Sequence, residues 1–254
     1  MAIEGAALVG WALAHLKWTG DPSVAHLEVV VIPDARGRGI GSSLWRRAER
    51  HLLRLRPRKL DTSADHPDSI AFVENRGFCR TRQSIVSGLD VSAATLPAQG
   101  LPQGLGVVPL RELRGQTDEL FALFLAAEQD VPADEPRGRM TFQEWIRVTW
   151  EHPDLEREGS FVVVEDQRLV AFALLIVDHD RRRAWNEMTG TLPSHRGRGL
   201  ATIAKSATIR WAAANGIDRI LTNNDAENTP MLAINQRLGY QPVKVLIDYE
   251  REVV

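Results

Sequence analysis

The stretch that decides the fold reads Leu-Pro-Ser-His-Arg-Gly-Arg-Gly-Leu-Ala and covers residues 192–201. A run typical of a β-strand, residues 185–192, leads into it, and a helical run, residues 201–214, follows it. Pro193 has no N–H to give to a sheet, so it marks the end of the strand. The glycines allow a sharp turn, and the helix after them presents unpaired N–H groups and the positive end of its dipole. With two arginines beside it, this arrangement predicts a phosphate-binding turn.

The same pattern occurs 160 residues earlier, as Pro-Asp-Ala-Arg-Gly-Arg-Gly-Ile-Gly over residues 33–41. A β-branched run, residues 27–32, precedes this copy, and an amphipathic helical run, residues 42–55, follows it. One glycine-rich turn is a weak signal, but two copies in the same strand–turn–helix context rarely arise by chance. The repeat therefore predicts two tandem units of similar fold.

Both copies resemble the acetyl-CoA pyrophosphate loop of the GNAT N-acetyltransferase superfamily, R/Q-x-x-G-x-G/A. Residues 228–240, which end in Leu-Gly-Tyr, resemble the second signature of that family, and residues 72–78 are a looser copy of it. The resemblance covers nearly the whole chain. It implies a mixed α/β fold made of two tandem acyl-CoA N-acyltransferase units. The fixed loop positions are filled by Arg36, Gly39 and Gly41 in the first copy and by Arg196, Gly199 and Ala201 in the second.

The resemblance also implies the acyl donor, acetyl-CoA, and the residues that hold it. The strand before each loop is expected to diverge from its neighbour and to leave a V-shaped slot for the pantetheine arm. In the second copy, the implied contacts are Thr191, Leu192, Arg196, Gly197, Arg198, Gly199, Leu200, Ala201 and Asn228. In the first copy, they are Arg36, Gly37, Arg38, Gly39, Ile40 and Gly41. No metal is expected, because the histidines show no metal-ligand spacing.

Acetyl transfer to an amine needs a base, because a protonated amine has no lone pair. Glu187 lies six residues before Pro193, where the family often places such a carboxylate. Strand alternation predicts that Glu187, Thr189 and Thr191 share one face. An ordinary surface glutamate at a strand end is the open alternative.

A proton donor for the departing thiolate is harder to assign. Many family members have a tyrosine four residues before the glycine of the Leu-Gly-Phe/Tyr signature, and this chain has Asn235 there. Asn235 cannot act as a general acid, although its amide could form a hydrogen bond to the sulfur. Solvent remains an alternative proton source, and Tyr240 matches the packing aromatic of the family.

The repeat also predicts the domain boundaries. We expect a truncated N-terminal GNAT-like unit over residues 1–92, a linker over 93–104, and a complete C-terminal acetyltransferase domain over 105–254. The last strands of the first unit are expected over residues 78–89, and the closing strand of the second over 243–253. A helix is expected over residues 141–151, with a capping box of Thr141 and Glu144, and Asn228 is expected to cap the signature helix. The N-terminal copy lacks the opening strand and the two opening helices that form much of the acceptor pocket in the family. We therefore expect the C-terminal copy to carry catalysis, and the N-terminal copy to be a scaffold or a CoA-sensing half.

The composition of the chain bears on its binding partners and its location. A net charge of −2 gives no basis for nucleic-acid binding by charge. The chain contains no apolar run long enough to span a membrane, and its start does not resemble a signal peptide. The single Cys79 cannot form an internal disulfide, which favours a cytoplasmic location. We expect Cys79 to be a small core residue beside Phe78.

Together, these observations predict an N-acetyltransferase that moves acetyl from acetyl-CoA to the primary amine of a small molecule by direct attack. An acidic segment, residues 128–136, would attract a cationic amine if it overhangs the acceptor site. Two alternatives stay open: a protein or peptide amine acetyltransferase, and a non-catalytic acyl-CoA-binding regulator. A homodimer is a further open alternative.

Overall fold

The computed structural model describes residues 1–17, 23–98, 100–113, 115–129 and 140–253. Across these residues strands and helices alternate, as the predicted mixed α/β fold requires. The strands are β1 (Ala2–Glu4), β2 (Ala7–Leu16), β3 (Val24–Val31), β4 (Lys59–Ala64), β5 (Cys79–Asp90), β6 (Leu105–Pro109), β7 (Phe161–Glu165), β8 (Arg168–Asp178), β9 (Arg183–Thr191), β10 (Arg219–Asp225) and β11 (Gln241–Glu252). The helices are α1 (Ile40–Leu53), α2 (Pro67–Glu74), α3 (Thr117–Glu128), α4 (Phe142–Trp145), α5 (Leu200–Ala214) and α6 (Thr229–Leu238).

The chain forms two compact units that do not follow the repeat boundaries. The first unit contains Met1–Gln83 and Leu246–Val254, with Met140 counted with it. The second unit contains Ser84–Pro132 and Thr141–Val245. The division at residues 92 and 105 therefore stays a prediction about the repeat rather than a description of these compact units.

In the first unit, the strands run in the order β1, β2, β3, β4, β11. Strands β2 and β3 are antiparallel, β3 and β4 are parallel, and β11 is antiparallel to β4. Helix α1 packs on one face through Trp45 and Leu52, which meet Ala25 and Leu27 of β3 in the core. On the other face, Leu13 of β2 is exposed.

In the second unit, Ser84–Asp90 of β5 is followed by β10, β9, β8, β7 and β6. Strands β9 and β10 are parallel, and the other pairs are antiparallel. Helix α5 packs against β8 and β9, and so does α3. The second unit therefore covers β8 and β9 with α5, which follows the glycine turn, and with α3, which lies between β6 and β7 in the chain.

Each unit takes a closing strand from the other half of the sequence. Residues 247–252 of β11 pair with β4 in the first unit, and residues 84–90 of β5 pair with β10 in the second. Sequence order alone predicted that residues 78–89 would close the N-terminal copy and that 243–253 would close the C-terminal copy. That expectation is wrong for both strands, because a local pattern identifies a strand without identifying its partner.

Two further local predictions can be checked. The helix predicted over residues 141–151 begins as expected, with Thr141 and Glu144 forming a capping box, but residues 146–150 continue it as a π-helix. Cys79 is exposed rather than in the core, so that prediction was wrong. Phe78 is buried beside it, because successive residues of an extended chain point to opposite sides.

None of the helices among the described residues combines the length and apolar character needed to cross a bilayer.

Candidate active site

The glycine turn of the second unit has the geometry expected of an anion site. Strand β9 ends at Thr191, a single 3₁₀ turn covers Pro193–His195, and Gly199 is the N-cap of α5 with φ of 76°. No side chain of the described residues caps this helix, and its first turn closes with the Ile203 amide donating to the Gly199 carbonyl at 3.1 Å. A Cβ added at Gly199 would meet no described atom within 4 Å. The N–H groups of this turn are thus presented to open space.

The first unit repeats this turn closely. Gly39 is the N-cap of α1 with φ of 79°, again without a side-chain cap among the described residues. The Ser43 amide donates to the Gly39 carbonyl at 3.0 Å. A turn of the same 3₁₀ type, Pro33–Ala35, precedes it. The two loops therefore match in backbone geometry, as the sequence repeat predicts.

The second arginine of each loop is held by a glutamate. Arg198 donates two hydrogen bonds to the Glu165 carboxylate, at 2.9 and 2.6 Å, and His195 lies 3.2 Å from the same carboxylate. In the first unit, Arg38 forms the same two-pronged ion pair with Glu4. The hydrogen bonds from Arg198 hold the pKa of the Glu165 carboxyl below its usual range. These arginines therefore anchor the loops to a neighbouring strand, and their expected contact with phosphate stays a prediction.

Strand β9 separates from β10 where the resemblance implies a slot. The two strands pair only at three positions, and the last pair is Trp185 with Leu221. The next residue of β10, Thr222, donates its hydroxyl to the Asn186 carbonyl at 3.2 Å and closes the apex of the opening. Beyond this point, residues 187–191 of β9 pair with β8 alone, apart from the bulged position described next. The backbone on the β10 side thus has no strand partner among the described residues along the segment that includes Thr191.

Glu187 lies in a β-bulge. Leu174 of β8 pairs with Met188 and Leu175 pairs with Asn186, so that Glu187 is the extra residue. A bulge breaks the alternation of side chains, so the prediction that Glu187 and Thr189 share a face by simple spacing does not hold. The Thr189 hydroxyl instead donates to the Asn186 side chain at 3.2 Å.

The surroundings of Glu187 make its carboxylate a better proton acceptor. The residue is exposed, yet partial desolvation of its carboxyl by the surrounding protein raises the pKa of Glu187 above its usual range. The electrostatic interaction with His152 offsets part of this rise. A carboxylate of higher pKa is the stronger base. His152 follows the π-helix and gave no signal in the sequence, since it has no motif around it.

Asn235 is buried on α6 at the other side of the slot. Its amide donates to the Asn224 side-chain oxygen at 2.7 Å, while its own Oδ1 has no partner among the described residues. Asn228 accepts from the Met231 amide at 3.2 Å and is the N-cap of α6, as the sequence predicts. Tyr240 is buried, which fits its expected packing role. An unpaired buried oxygen at Asn235 marks a position that could receive a donor from a bound molecule.

The structure adds one buried charge that the sequence did not reveal. Lys205 of α5 is 1% exposed, and burial lowers its pKa to about 7. Its Nζ donates to Asn186 Oδ1 and lies 4.9 Å from the centre of the Tyr240 ring. A lysine in a helical pattern is ordinarily expected at the surface, so only the packing shows that Lys205 is buried.

Two further expectations concern a metal site and the acidic segment. Among the residues that the structure describes, no cluster of His, Cys, Asp or Glu is arranged to hold a metal ion. Most of the acidic segment, residues 130–136, lies outside the described residues.

Comparisons with known proteins agree with this geometry. The model of the acetyltransferase (GNAT) family matches residues 1–78 and 118–240. Mycothiol acetyltransferase of Frankia casuarinae is 30% identical over an alignment that covers 97% of this chain and 71% of that protein. The enzyme of the same name from Saccharomonospora viridis is 27% identical, with coverage of 97% and 81%.

Solved structures show the same fold. A GCN5-related N-acetyltransferase from Sphaerobacter thermophilus has a TM-score of 0.75 at 17% identity, covering 96% of this chain and 76% of that one. A tandem GNAT protein from the clavulanic acid biosynthesis pathway has a TM-score of 0.73 at 21% identity, with coverage of 98% and 81%. With two matched segments that span most of the chain, this protein belongs to the GNAT acetyltransferase family and is an acyltransferase with tandem GNAT architecture.

Proposed function

We propose that the second unit transfers the acetyl group of acetyl-CoA to a primary amine of a small molecule. The observation that carries this proposal is Glu187, a carboxylate of raised pKa that projects from a bulge beside the opening between β9 and β10. The attacking nucleophile is the substrate amine itself, so no covalent intermediate on the enzyme is needed.

The residues of the second unit suit acetyl-CoA as donor. The uncapped start of α5 and the open space at Gly199 fit a pyrophosphate, with Arg196 adding charge. The unpaired edge of β9 at Thr191 offers backbone groups to an amide-containing arm. When bound there, acetyl-CoA supplies the activated acetyl group. The chain supplies the site, the orientation and the proton transfers.

Glu187 would take the proton that the amine loses. A base acts only when it is ionised and when its pKa is close enough to that of the amine to accept a proton. The desolvation of Glu187 moves its pKa in the useful direction, and His152 keeps the ionised form accessible. Asn235 would accept a hydrogen bond from an N–H group of the donor's arm through its unpaired Oδ1, and solvent would protonate the thiolate.

The relatives favour a small acceptor. Their name, mycothiol acetyltransferase, indicates a small thiol compound, and they align with almost the whole of this chain. We therefore propose an amine on a small, thiol-bearing molecule ahead of a protein N-terminus or a lysine side chain. The first unit would serve as a scaffold or a CoA-sensing half.

The test is an amine panel that follows release of free thiol from acetyl-CoA. The panel should contain small amines, aminothiols and amino sugars alongside lysine-containing peptides. We expect turnover with a member of the small-molecule set and little with peptides. Preferred turnover of peptides would overturn the assignment of the acceptor. Tight binding of acetyl-CoA by calorimetry, with no turnover of any amine, would instead support a non-catalytic regulator.

A further inference from the structure

We propose that Lys205 is a positioning residue that, through Asn186, holds the β-bulge from which Glu187 projects. The inference rests on the proposed role of Glu187 and deepens it. Lys205 does not reach the reacting atoms. It acts on the backbone that presents the base.

Asn186 is the centre of this polar cluster. Its side-chain amide donates to the Leu174 carbonyl at 2.9 Å and to the Met188 carbonyl at 3.3 Å. Leu174 and Met188 are the first pair of residues beyond the bulge, whereas Asn186 itself belongs to the pair before it. Its Oδ1 accepts hydrogen bonds from Lys205 Nζ and from the Thr189 hydroxyl. The side chain thus bridges the interruption in the β8–β9 ladder, where backbone groups lose their regular partners.

Lys205 fixes the orientation of that amide. An asparagine amide can be turned over, which would exchange its donor and acceptor ends. A donor from Lys205 requires the oxygen to face α5, and this leaves the NH₂ group facing the two carbonyls. Because Asn186 and Lys205 are both nearly fully buried, water cannot readily replace the lysine in this role.

The first unit shows what happens without this cluster. The repeat places Trp45 at the position of Lys205 and, counted from the first paired residue of each strand, Leu27 at the position of Asn186. Both are buried in one apolar core. The β2–β3 ladder runs in uninterrupted register from the Gly10–Val31 pair to the Leu16–Ala25 pair, so it has no extra residue like Glu187. The polar pair and the bulge thus occur together on the strand before the second loop, and this ladder before the first loop has neither.

A purely structural explanation for Lys205 is weak. Burying an amine costs free energy, and the lowered pKa of Lys205 reflects that cost. An apolar side chain of similar length would pack in the same place more favourably. A costly residue at a buried position is therefore expected to have a role other than stability.

The test compares Lys205→Met with Lys205→Gln. Methionine keeps the length and removes the donor, while glutamine keeps an N–H donor for Asn186. With acetyl-CoA and the best amine of the panel, we expect Lys205→Met to lower kcat roughly 10- to 100-fold, because small displacements of a catalytic group have effects of this size. The KM for acetyl-CoA should stay near that of the parent enzyme, and the urea unfolding midpoint should not fall. Lys205→Gln should recover most of the lost kcat.

Ile209→Val is the matched control, because Ile209 is buried on the same helix but belongs to the apolar core. It should lose some stability and keep its kcat. A second readout does not depend on turnover: the ¹³C signal of the Glu187 carboxyl, followed by NMR against pH. In Lys205→Met, the pKa of this carboxyl should fall toward its ordinary value as the bulge relaxes.

The outcomes separate this inference from the proposed function. If no amine is acetylated by the parent enzyme, the Glu187 titration still decides whether Lys205 holds the bulge. Unchanged kcat and unchanged Glu187 titration in folded Lys205→Met would overturn the inference. A loss of kcat that Lys205→Gln fails to recover, with an unchanged Glu187 titration, would overturn it as well.

Discussion

The two units share a glycine turn and differ in the strand that leads into it. Gly39 and Gly199 have nearly the same φ, and both open an uncapped helix. Strand β3 reaches its turn in regular register, whereas β9 contains an extra residue, Glu187. A loop of the same shape can therefore serve a base-bearing strand in one unit and a plain strand in the other. In the proposed function, the loop would bind the donor and the strand would supply the base.

The two units also differ in the sheet face that lies away from α1 or α5: this face is covered by a helix in the second unit and exposed in the first. In the second unit, α3 packs against β8 and β9 on the side that an acceptor pocket needs. In the first unit, Leu13 and Val30 lie on the face away from α1 and are exposed. Positioning of the two reactants supplies much of an enzymatic rate. We therefore expect turnover only in the second unit, where a helix covers that face.

The largest expected effect comes from a matched pair of loop variants. Gly199→Glu and Gly39→Glu each put a side chain at a positive φ, which costs both variants about 1–2 kcal/mol of backbone strain. Each also puts a negative charge where phosphate would lie. We expect Gly199→Glu to lower turnover by about 10³-fold or more, and Gly39→Glu to keep most of it. Steady-state assays with circular dichroism as the folding control decide this. Equal losses in both folded variants would mean that the units contribute alike.

A smaller effect is expected at the ion pairs that anchor the loops. Arg198→Ala frees Glu165 and removes a positive charge beside the α5 turn, so the KM for acetyl-CoA should rise roughly tenfold with little change in kcat. Arg38→Ala removes the matching pair with Glu4 and should leave both constants nearly unchanged. A rise in KM for Arg38→Ala alone would place donor binding for turnover in the first unit.

The local features of both units could be predicted from the sequence, whereas the bulge, the closing strands and the burial of Lys205 could not. Glycine turns, helix starts and the caps at Thr141 and Asn228 depend on neighbours within four residues, and each was confirmed. The bulge depends on the register of β8 against β9, and the closing strands depend on partners far along the chain. Neither leaves a periodic signal. Lys205 could not be identified as buried, because its surroundings come from distant strands.

The smallest expected effect concerns the pH dependence of stability. Burial lowers the pKa of Lys205 from 10.5 in the free side chain to about 7, so the unfolded chain binds more protons than the folded one between these values. The free energy of unfolding should therefore rise with pH from about 7 to about 9, and the penalty for the charged lysine should be complete below that range. Urea titrations at several pH values measure the slope. Lys205→Met should lower this slope, and an unchanged slope would show that Lys205 titrates normally.

The measurement that tests the account most directly is the pH–rate profile of Glu187→Gln beside that of the parent enzyme. If the bulged glutamate makes the second unit the catalytic one, kcat of the parent enzyme should show an ascending limb with an apparent pKa above that of an ordinary glutamate. In Glu187→Gln this limb should be lost, kcat should fall by about 10²–10⁴-fold, and acetyl-CoA affinity should stay near normal. Glu28→Gln, on the matching strand of the first unit, is the control and should behave like the parent enzyme. A Glu187→Gln variant with the parent's pH profile and kcat would contradict the account.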